Sequence, residues 1–311
     1  MAVVKRWEEC TEEDILQANI DKYDSDHIID FYKDFEEPRY AYIEYNVIFK
    51  AVTNMLEKTI NRSLQAVDLC GGAGKAAFVL KSCSPDCRVT LVDLSEKMLA
   101  IAQERIDRNK IEGIDVVLAD AFSFLESEGE YDLIVFSSAV HHFKEPLNLL
   151  QSAAARLSKN GVIITIADPT TITKSRRYQF FRFLAANSQH KKEIIRQMFF
   201  GSNRDSSSDA DFDMAEYQTY TGIDDRDLAR EVRDIGLSPL VHLRYPAGEP
   251  YMVKIMPYLG LCWAFSMVLG KSENHIPEEM IDILKQGIKT EMPFRFKYMG
   301  QGDRSLVPEN R

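Results

Sequence analysis

The stretch from Leu64 to Ser95 constrains this chain more than any other. An apolar run over Leu64–Leu69 ends in small residues, Gly71, Gly72, Ala73 and Gly74. The helix-forming segment AAFVLK follows, and a second apolar run, Val89–Leu94, carries Asp93. That order is strand, tight turn, helix, strand, the opening unit of a parallel α/β sheet. Glycine at the turn admits positive φ and lets a ligand approach the main chain, while the first helical turn presents unpaired N–H groups. A cofactor site at the strand end is the direct implication. Which cofactor is still open, because Gly72, Gly74 and Ala77 also satisfy the G-x-G-x-x-G/A dinucleotide pattern with an acid closing the next strand.

Strand and helix signals keep alternating beyond this unit. Ser95 suits a helix N-cap, and Met98, Leu99, Ala102 and Ile106 recur at helical spacing. Val116–Leu118 reads as a third strand, followed by Asp120-Ala121-Phe122, where Asp120 is either a ligand contact or a helix cap. Tyr131-Asp132-Leu133-Ile134-Val135-Phe136-Ser137 reads as a fourth strand and leads into Ser138-Ala139-Val140-His141-His142-Phe143. Its end faces the crevice where open α/β sheets bind ligands. A helix over Pro146–Leu157 is expected to stop at Lys159-Asn160-Gly161, with Gly161 as its left-handed terminator. Val162–Ala167 is the fifth strand, closed by Asp168-Pro169.

Asp68, four positions before Gly72, separates the cofactor classes. The run Asp68-Leu69-Cys70-Gly71-Gly72-Ala73-Gly74 resembles the first motif of the class I S-adenosylmethionine-dependent methyltransferases, acid-x-G-x-G-x-G, with Cys70 where that family usually has its first glycine. Tyr131 to Phe143 is similar to the family's fourth strand and its His-His-Phe ending. The resemblance covers Ser63 to Pro169 with hardly an insertion. It implies S-adenosylmethionine as cofactor and S-adenosylhomocysteine as product. By the same resemblance Asp68 helps hold the methionine end, directly or through water, Gly72 and Gly74 let it lie across the turn, Asp93 accepts from the ribose hydroxyls, and Cys70 and Leu94 stand among the cofactor-binding residues. Asp120 and Ala121 then hold the adenine, with Ser137 at the end of strand four. The implied fold is a seven-stranded, mostly parallel doubly wound sheet with a reversed last strand, an N-terminal helical cap and a helical lid insert.

The flanks fit that plan. Residues 1–62 carry short helices over Asp14–Ile20 and Asp26–Phe35 and an aromatic-rich one over Tyr40–Leu56, which either cap the site or pack on the sheet flank. The core spans 63–271 and includes an insert, 170–222, with helices over Ser175–Ala186 and Lys191–Phe200 and a Ser/Asp-rich loop over Gly201–Asp213. The insert reads as an acceptor lid, with a partner-binding or dimerising helix pair as the competing account. Ile223–Ile235 is a helix ended by Gly236. Pro239–Arg244 and Cys262–Leu269 are the closing strands, and 272–311 is an appendage with one helix over Pro277–Lys289 and a polar tail.

Formal charge of −10 argues against a nucleic-acid backbone as main partner, since that needs a clustered positive field. Five cysteines without a C-x-x-C pair suggest neither a disulfide framework nor a metal site. The Met1–Cys10 stretch has no apolar signal core, and Tyr258–Gly270 is too short to span a bilayer, so a reducing cytoplasm and no membrane partner are expected. A homodimer is neither required nor excluded.

Methyl transfer from a sulfonium is an in-line displacement in which alignment supplies roughly 7 to 11 kcal/mol. A positioned base adds about a hundred- to ten-thousandfold, and an imidazole titrating near neutrality suits the task. His141 and His142 are the candidates, with one of the two expected to face the cleft and His141 preferred. His242 reads as a core-edge residue, and Arg176 and Arg177 as a solvated helix face or an anion clamp. A small-molecule acceptor is expected because Ser137-Ser138-Ala139-Val140 stands where nucleic-acid and glutamine-amide enzymes of the family carry Asn-Pro-Pro-Tyr. O-methylation is favoured. A non-catalytic cofactor-binding regulator is the alternative, and an NAD-dependent oxidoreductase a third reading.

Overall fold

The computed structural model describes residues 7–34, 39–127, 129–185, 215, 221–247, 250–274, 276–300 and 306–307. The helix expected over 191–200 and the loop over 201–213 lie outside them. The apolar runs form β1 (Gln65–Leu69), β2 (Arg88–Asp93), β3 (Ile114–Leu118), β4 (Tyr131–Ser137) and β5 (Leu157–Pro169), all parallel. β6 (Leu237–Tyr245) and β7 (Ala264–Lys271) pair antiparallel, and β7 lies reversed between β5 and β6. The order is β3-β2-β1-β4-β5-β7-β6-β8-β9. The sheet therefore has two strands beyond the seven expected, the short β8 (Phe296–Tyr298) and β9 (Leu306–Val307), formed where the sequence suggested a polar tail. The chain winds away from β1 in one direction and from β4 in the other, so the crevice above those two strand ends is the topological switch point.

Both faces of the sheet are covered, which is why its strands are apolar at consecutive positions. Ala66, Leu133, Val135 and Ile164 pack on one side against α3 (Ile43–Glu57), α4 (Lys75–Cys83), α5 (Glu96–Asn109) and α11 (Glu278–Glu291). Val67, Ile134, Phe136 and Ile163 pack on the other against α6 (Ala121–Glu126), α7 (Pro146–Ala155) and α9 (Asp225–Glu231). Ahead of the sheet lie α1 (Glu12–Tyr23) and α2 (Asp26–Asp34). α8 (Arg176–Ala185) opens the insert, and α10 (Pro250–Ile255) lies between β6 and β7. No helix among the described residues is long and apolar enough to cross a membrane.

Several local expectations hold and one fails. Ser95 caps α5, its Oγ accepting from Met98 N–H at 3.1 Å. Gly236 follows α9 at φ 79°. Gly161, by contrast, terminates no helix. α7 ends at Ala155 with Arg156 as its cap, and β5 has begun by Leu157. The glycine is needed for close approach instead, because a Cβ there would lie 2.7 Å from the Tyr131 carbonyl oxygen of β4. At the base of the sheet, buried Asp132 accepts from Arg62 (2.6 and 2.9 Å), the Gln65 N–H (2.9 Å) and Ser158 Oγ (2.7 Å), tying the starts of β1, β4 and β5 together.

Candidate active site

Three non-glycine residues adopt left-handed backbone at strand ends: Cys70 after β1 (φ 58°), Ser138 after β4 (φ 50°) and Ala167 within β5 (φ 64°). Each such residue costs about 1 to 3 kcal/mol, and strain of this kind collects at functional sites. All three line one cavity of about 1400 Å³ above the switch point. Cys70 thus takes the left-handed backbone that glycine favours.

One wall of that cavity is an acidic, backbone-rich cradle. Gly72 sits at φ 52°, and its N–H donates to Asp93 Oδ2 at 2.8 Å, while Ser95 N–H donates to Oδ1 at 2.9 Å. Burial raises the Asp93 carboxyl above its ordinary value, opposed by these N–H donors. Cys70, Gly72, Asp93, Leu94, Asp120, Ala121 and Ser137 all line the cavity. Asp120, which lines the cavity, also caps α6 by accepting from Ser123 N–H at 3.0 Å. Two expected contacts fall outside the wall. Gly74, at φ 88°, is the N-cap of α4. Asp68 is fully buried behind the turn, where Oδ2 accepts from Ala77 N–H at 3.0 Å and Oδ1 has no hydrogen-bond partner. Asp68 thus bonds the helix start and does not line the cavity.

Gly71, not singled out from the sequence, is sterically obligatory, since a Cβ there would lie 2.2 Å from Leu91 Cδ1 and 2.7 Å from Asp68 Oδ2. Lys75 also escaped notice. Its Nζ lies 4.4 Å from the Tyr45 ring centroid, and Tyr45 Oη meets Ser137 Oγ at 2.9 Å. An adenosine-bearing ligand suits this wall: open main chain at Gly72, one carboxylate held by two N–H groups, and a second acid on the next strand end. The N-terminal helices roof it. Asp24 beyond α1 bonds Ser95 Oγ, the Glu12 carboxylate accepts from Glu145 N–H at 2.8 Å, and Ile15, Leu16, Asn19 and Tyr23 line the cavity.

Both histidines line the cavity, against the expectation of one, because residues 140–142 leave the strand as a 3-10 turn and no longer alternate sides. Their ring centroids lie 4.1 Å apart with the planes tilted by 38°. His142 spends Nδ1 on Ala215 O (2.9 Å), within the insert, and Nε2 on Tyr23 Oη (3.3 Å). His141 is only 4% exposed, and its Nδ1 meets Asp168 Oδ1 at 2.8 Å. Asp168 is the residue that sequence reasoning missed. Burial pushes it up to about 8, opposed by backbone N–H donors including that of His141, and its Oδ2 has no hydrogen-bond partner among the described residues. His242 is a buried structural residue, bonded through Nε2 to Asp225 Oδ2 at 2.6 Å.

Stability should follow from these acids. Burial holds Asp68 at about 7 and Asp168 at about 8, far above the ordinary 3.8 of the unfolded chain. The folded form therefore binds more protons than the unfolded form across that interval. Their contribution is fully present below about pH 4 and is lost as pH rises through 7 to 8. Asp225 works oppositely: burial would raise it, but hydrogen bonds from His242 and Arg244 outweigh that and hold it low, so its contribution is lost in acid. We expect the melting temperature of the ligand-free protein to fall between about pH 4 and 8, and the doubly substituted Asp68→Asn, Asp168→Asn protein to flatten that decline. An unchanged decline in the double variant contradicts the assignment.

Residues 60–219 match a family model described as a methyltransferase domain. The chain is 29% identical over 123 residues to ribosomal RNA small subunit methyltransferase C of Actinobacillus succinogenes (strain ATCC 55618 / DSM 22257 / CCUG 43843 / 130Z), covering 37% of this chain and 36% of that protein. The chain thus spans about a third of the length of the curated relatives it matches first. Among solved structures, the plantazolicin methyltransferase BamL in complex with a triazolic desmethylPZN analog and SAH superposes with a TM-score of 0.55 at 14% identity, covering 84% of this chain and 96% of that one. The magnesium protoporphyrin IX methyltransferase ChlM of Synechocystis PCC 6803, with bound SAH, gives a TM-score of 0.50 at 13% identity, covering 83% and 100%.

Proposed function

This chain belongs to the methyltransferase-domain family, and on that premise we propose that it moves a methyl group from S-adenosylmethionine to a hydroxyl of a small-molecule acceptor. The observation that carries the reading is the His141–Asp168 pair in the same cavity as the Asp93 cradle. When bound, the donor supplies an electrophilic methyl carbon on a sulfonium. Asp93 would hold the ribose hydroxyls, Asp120 and Ala121 the adenine, and the main chain at Cys70 to Gly72 the methionine end. Asp68 acts behind them, holding the first turn of α4. The Lys75 ammonium, over Tyr45, suits the donor's carboxylate.

His141 takes the acceptor's proton at Nε2 while Asp168 holds Nδ1. The donor would give up that methyl group to the acceptor oxygen, its sulfur keeping the electron pair of the carbon–sulfur bond, and the chain's part is to align the two and hold the departing proton at His141. Ile15, Leu16 and Tyr23 of α1 form the apolar part of the roof over the site. His142, engaged at both nitrogens, links α1 to the insert at Ala215 and serves closure of the site.

The roofed cavity and the net charge of −10 favour a small acceptor over an RNA backbone. The fold-level likeness to two small-molecule methyltransferases runs the same way. Release of S-adenosylhomocysteine from a panel of phenols, alcohols, carboxylates and amines, run beside small-subunit ribosomal RNA, tests the choice. Turnover on a hydroxyl compound supports it, and turnover confined to RNA overturns it. Asp93→Asn should weaken S-adenosylmethionine binding by about 10- to 150-fold, the loss of a hydrogen bond to a charged group at about 1.5 to 3 kcal/mol. Calorimetric titration checks this, and unaltered affinity contradicts the ribose assignment.

A further inference from the structure

The pair His141–Asp168 depends on an irregularity in β5. Ile166 lies opposite Ser266 of β7 and Asp168 opposite Phe265, so Ala167 is an extra residue in the strand. It is a β-bulge with its residue in the left-handed region. A bulge reverses the alternation of side chains beyond it. Ile164 and Ile166 pack on the α3 face and Ile163 on the α7 face, so an unbroken strand would send residue 167 to the α7 face and residue 168 to the α3 face. The opposite is found. Ala167 packs on the α3 side, and Asp168 reaches His141.

Something must hold an alanine at φ 64°. Its N–H, turned out of the ladder, donates to Tyr245 Oη at 3.1 Å and to Ser266 Oγ at 3.3 Å, and those two hydroxyls meet at 2.7 Å. Tyr245 is fully buried on β6 and Ser266 nearly so on β7. A buried tyrosine normally needs one partner for its hydroxyl. This one spans two strands to reach the single backbone N–H that the bulge frees.

We infer that Tyr245, with Ser266, is a positioning residue for methyl transfer: it pins the Ala167 bulge and so aims Asp168 at His141. The inference rests on the reading of His141 as base. Other titratable groups facing this cluster are His142, beside His141, Cys70, which feels the Asp168 charge, and Glu44 and Tyr45 beside Tyr245.

The test is Tyr245→Phe, which keeps the ring and removes the hydroxyl, with Ser266→Ala as a second variant that leaves the ring core intact. With the bulge unpinned, the carboxylate no longer supports the imidazole. The His141 ring signal, assigned by its loss in His141→Gln, should then titrate at lower pH in both variants than in the unsubstituted protein. The acid limb of kcat should move with it and kcat should fall about tenfold, while affinity for S-adenosylhomocysteine stays within twofold. A merely structural role lowers melting temperature and leaves the titration in place, which overturns the inference. Should His141→Gln itself keep full turnover, the base reading fails, and a shifted ring titration in Tyr245→Phe still measures the pin independently.

Discussion

Turnover of His141→Gln should fall about a hundred- to ten-thousandfold, the range that a positioned base contributes, with affinity for S-adenosylmethionine within a few-fold of the unsubstituted protein. The separation follows from geometry. His141 is fixed by Asp168 at 2.8 Å and by the 3-10 turn that carries it, whereas the cradle around Asp93 is built from other elements and does not rely on the ring. Burial pushes Asp168 up to about 8, so the wild-type rate should climb as pH rises through that value and the carboxylate that holds His141 Nδ1 becomes ionised. In His141→Gln that dependence should vanish. His142→Ala should act differently: both of its nitrogens hold roof and insert, so the expected loss is in KM. Full turnover on the identified acceptor in His141→Gln removes the base from the mechanism.

Asp225→Ala should destabilise the fold by about 3 to 5 kcal/mol, the usual consequence of removing one partner from a buried charged cluster. Asp225 has no exposed surface, and its carboxylate receives His242 Nε2 at 2.6 Å, Arg244 Nε at 2.8 Å and Arg244 Nη2. Imidazole can discharge by losing a proton, but guanidinium cannot, so Arg244, 9% exposed, would stay charged in the core with its partner gone. Against a total of about 5 to 15 kcal/mol this is a large fraction. Denaturant unfolding at unchanged slope reads it directly. A loss below about 1 kcal/mol means that Arg244 escapes to water and that the cluster is not structural.

Most of the fold was legible because its signals are local. The glycine turn, the Ser95 cap, the apolar strands and Gly236 each declare themselves within a few residues. Gly161 misled because Lys-Asn-Gly reads as a helix stop, while the actual requirement, contact with the Tyr131 carbonyl, comes from a neighbouring strand. β8 escaped because Phe296–Tyr298 is three residues long and gains its meaning only beside β6. The site divides the same way. Asp93 and Asp120 stand at strand ends that periodicity locates. Asp168 stands at one too, yet its role depends on a one-residue bulge and a hydroxyl 78 positions away, for which no spacing rule exists. Asp68 was marked by its motif position, but its bond to the Ala77 N–H at the helix start has no signal in the spacing.

Calorimetric titration of the full chain with S-adenosylhomocysteine, run beside NAD, tests the central claim most directly. One-to-one binding of the former, with no heat from the latter, is the expected result. Absence of binding to S-adenosylhomocysteine, or preference for NAD, would contradict the assignment of this strand-end cradle to a methyl donor.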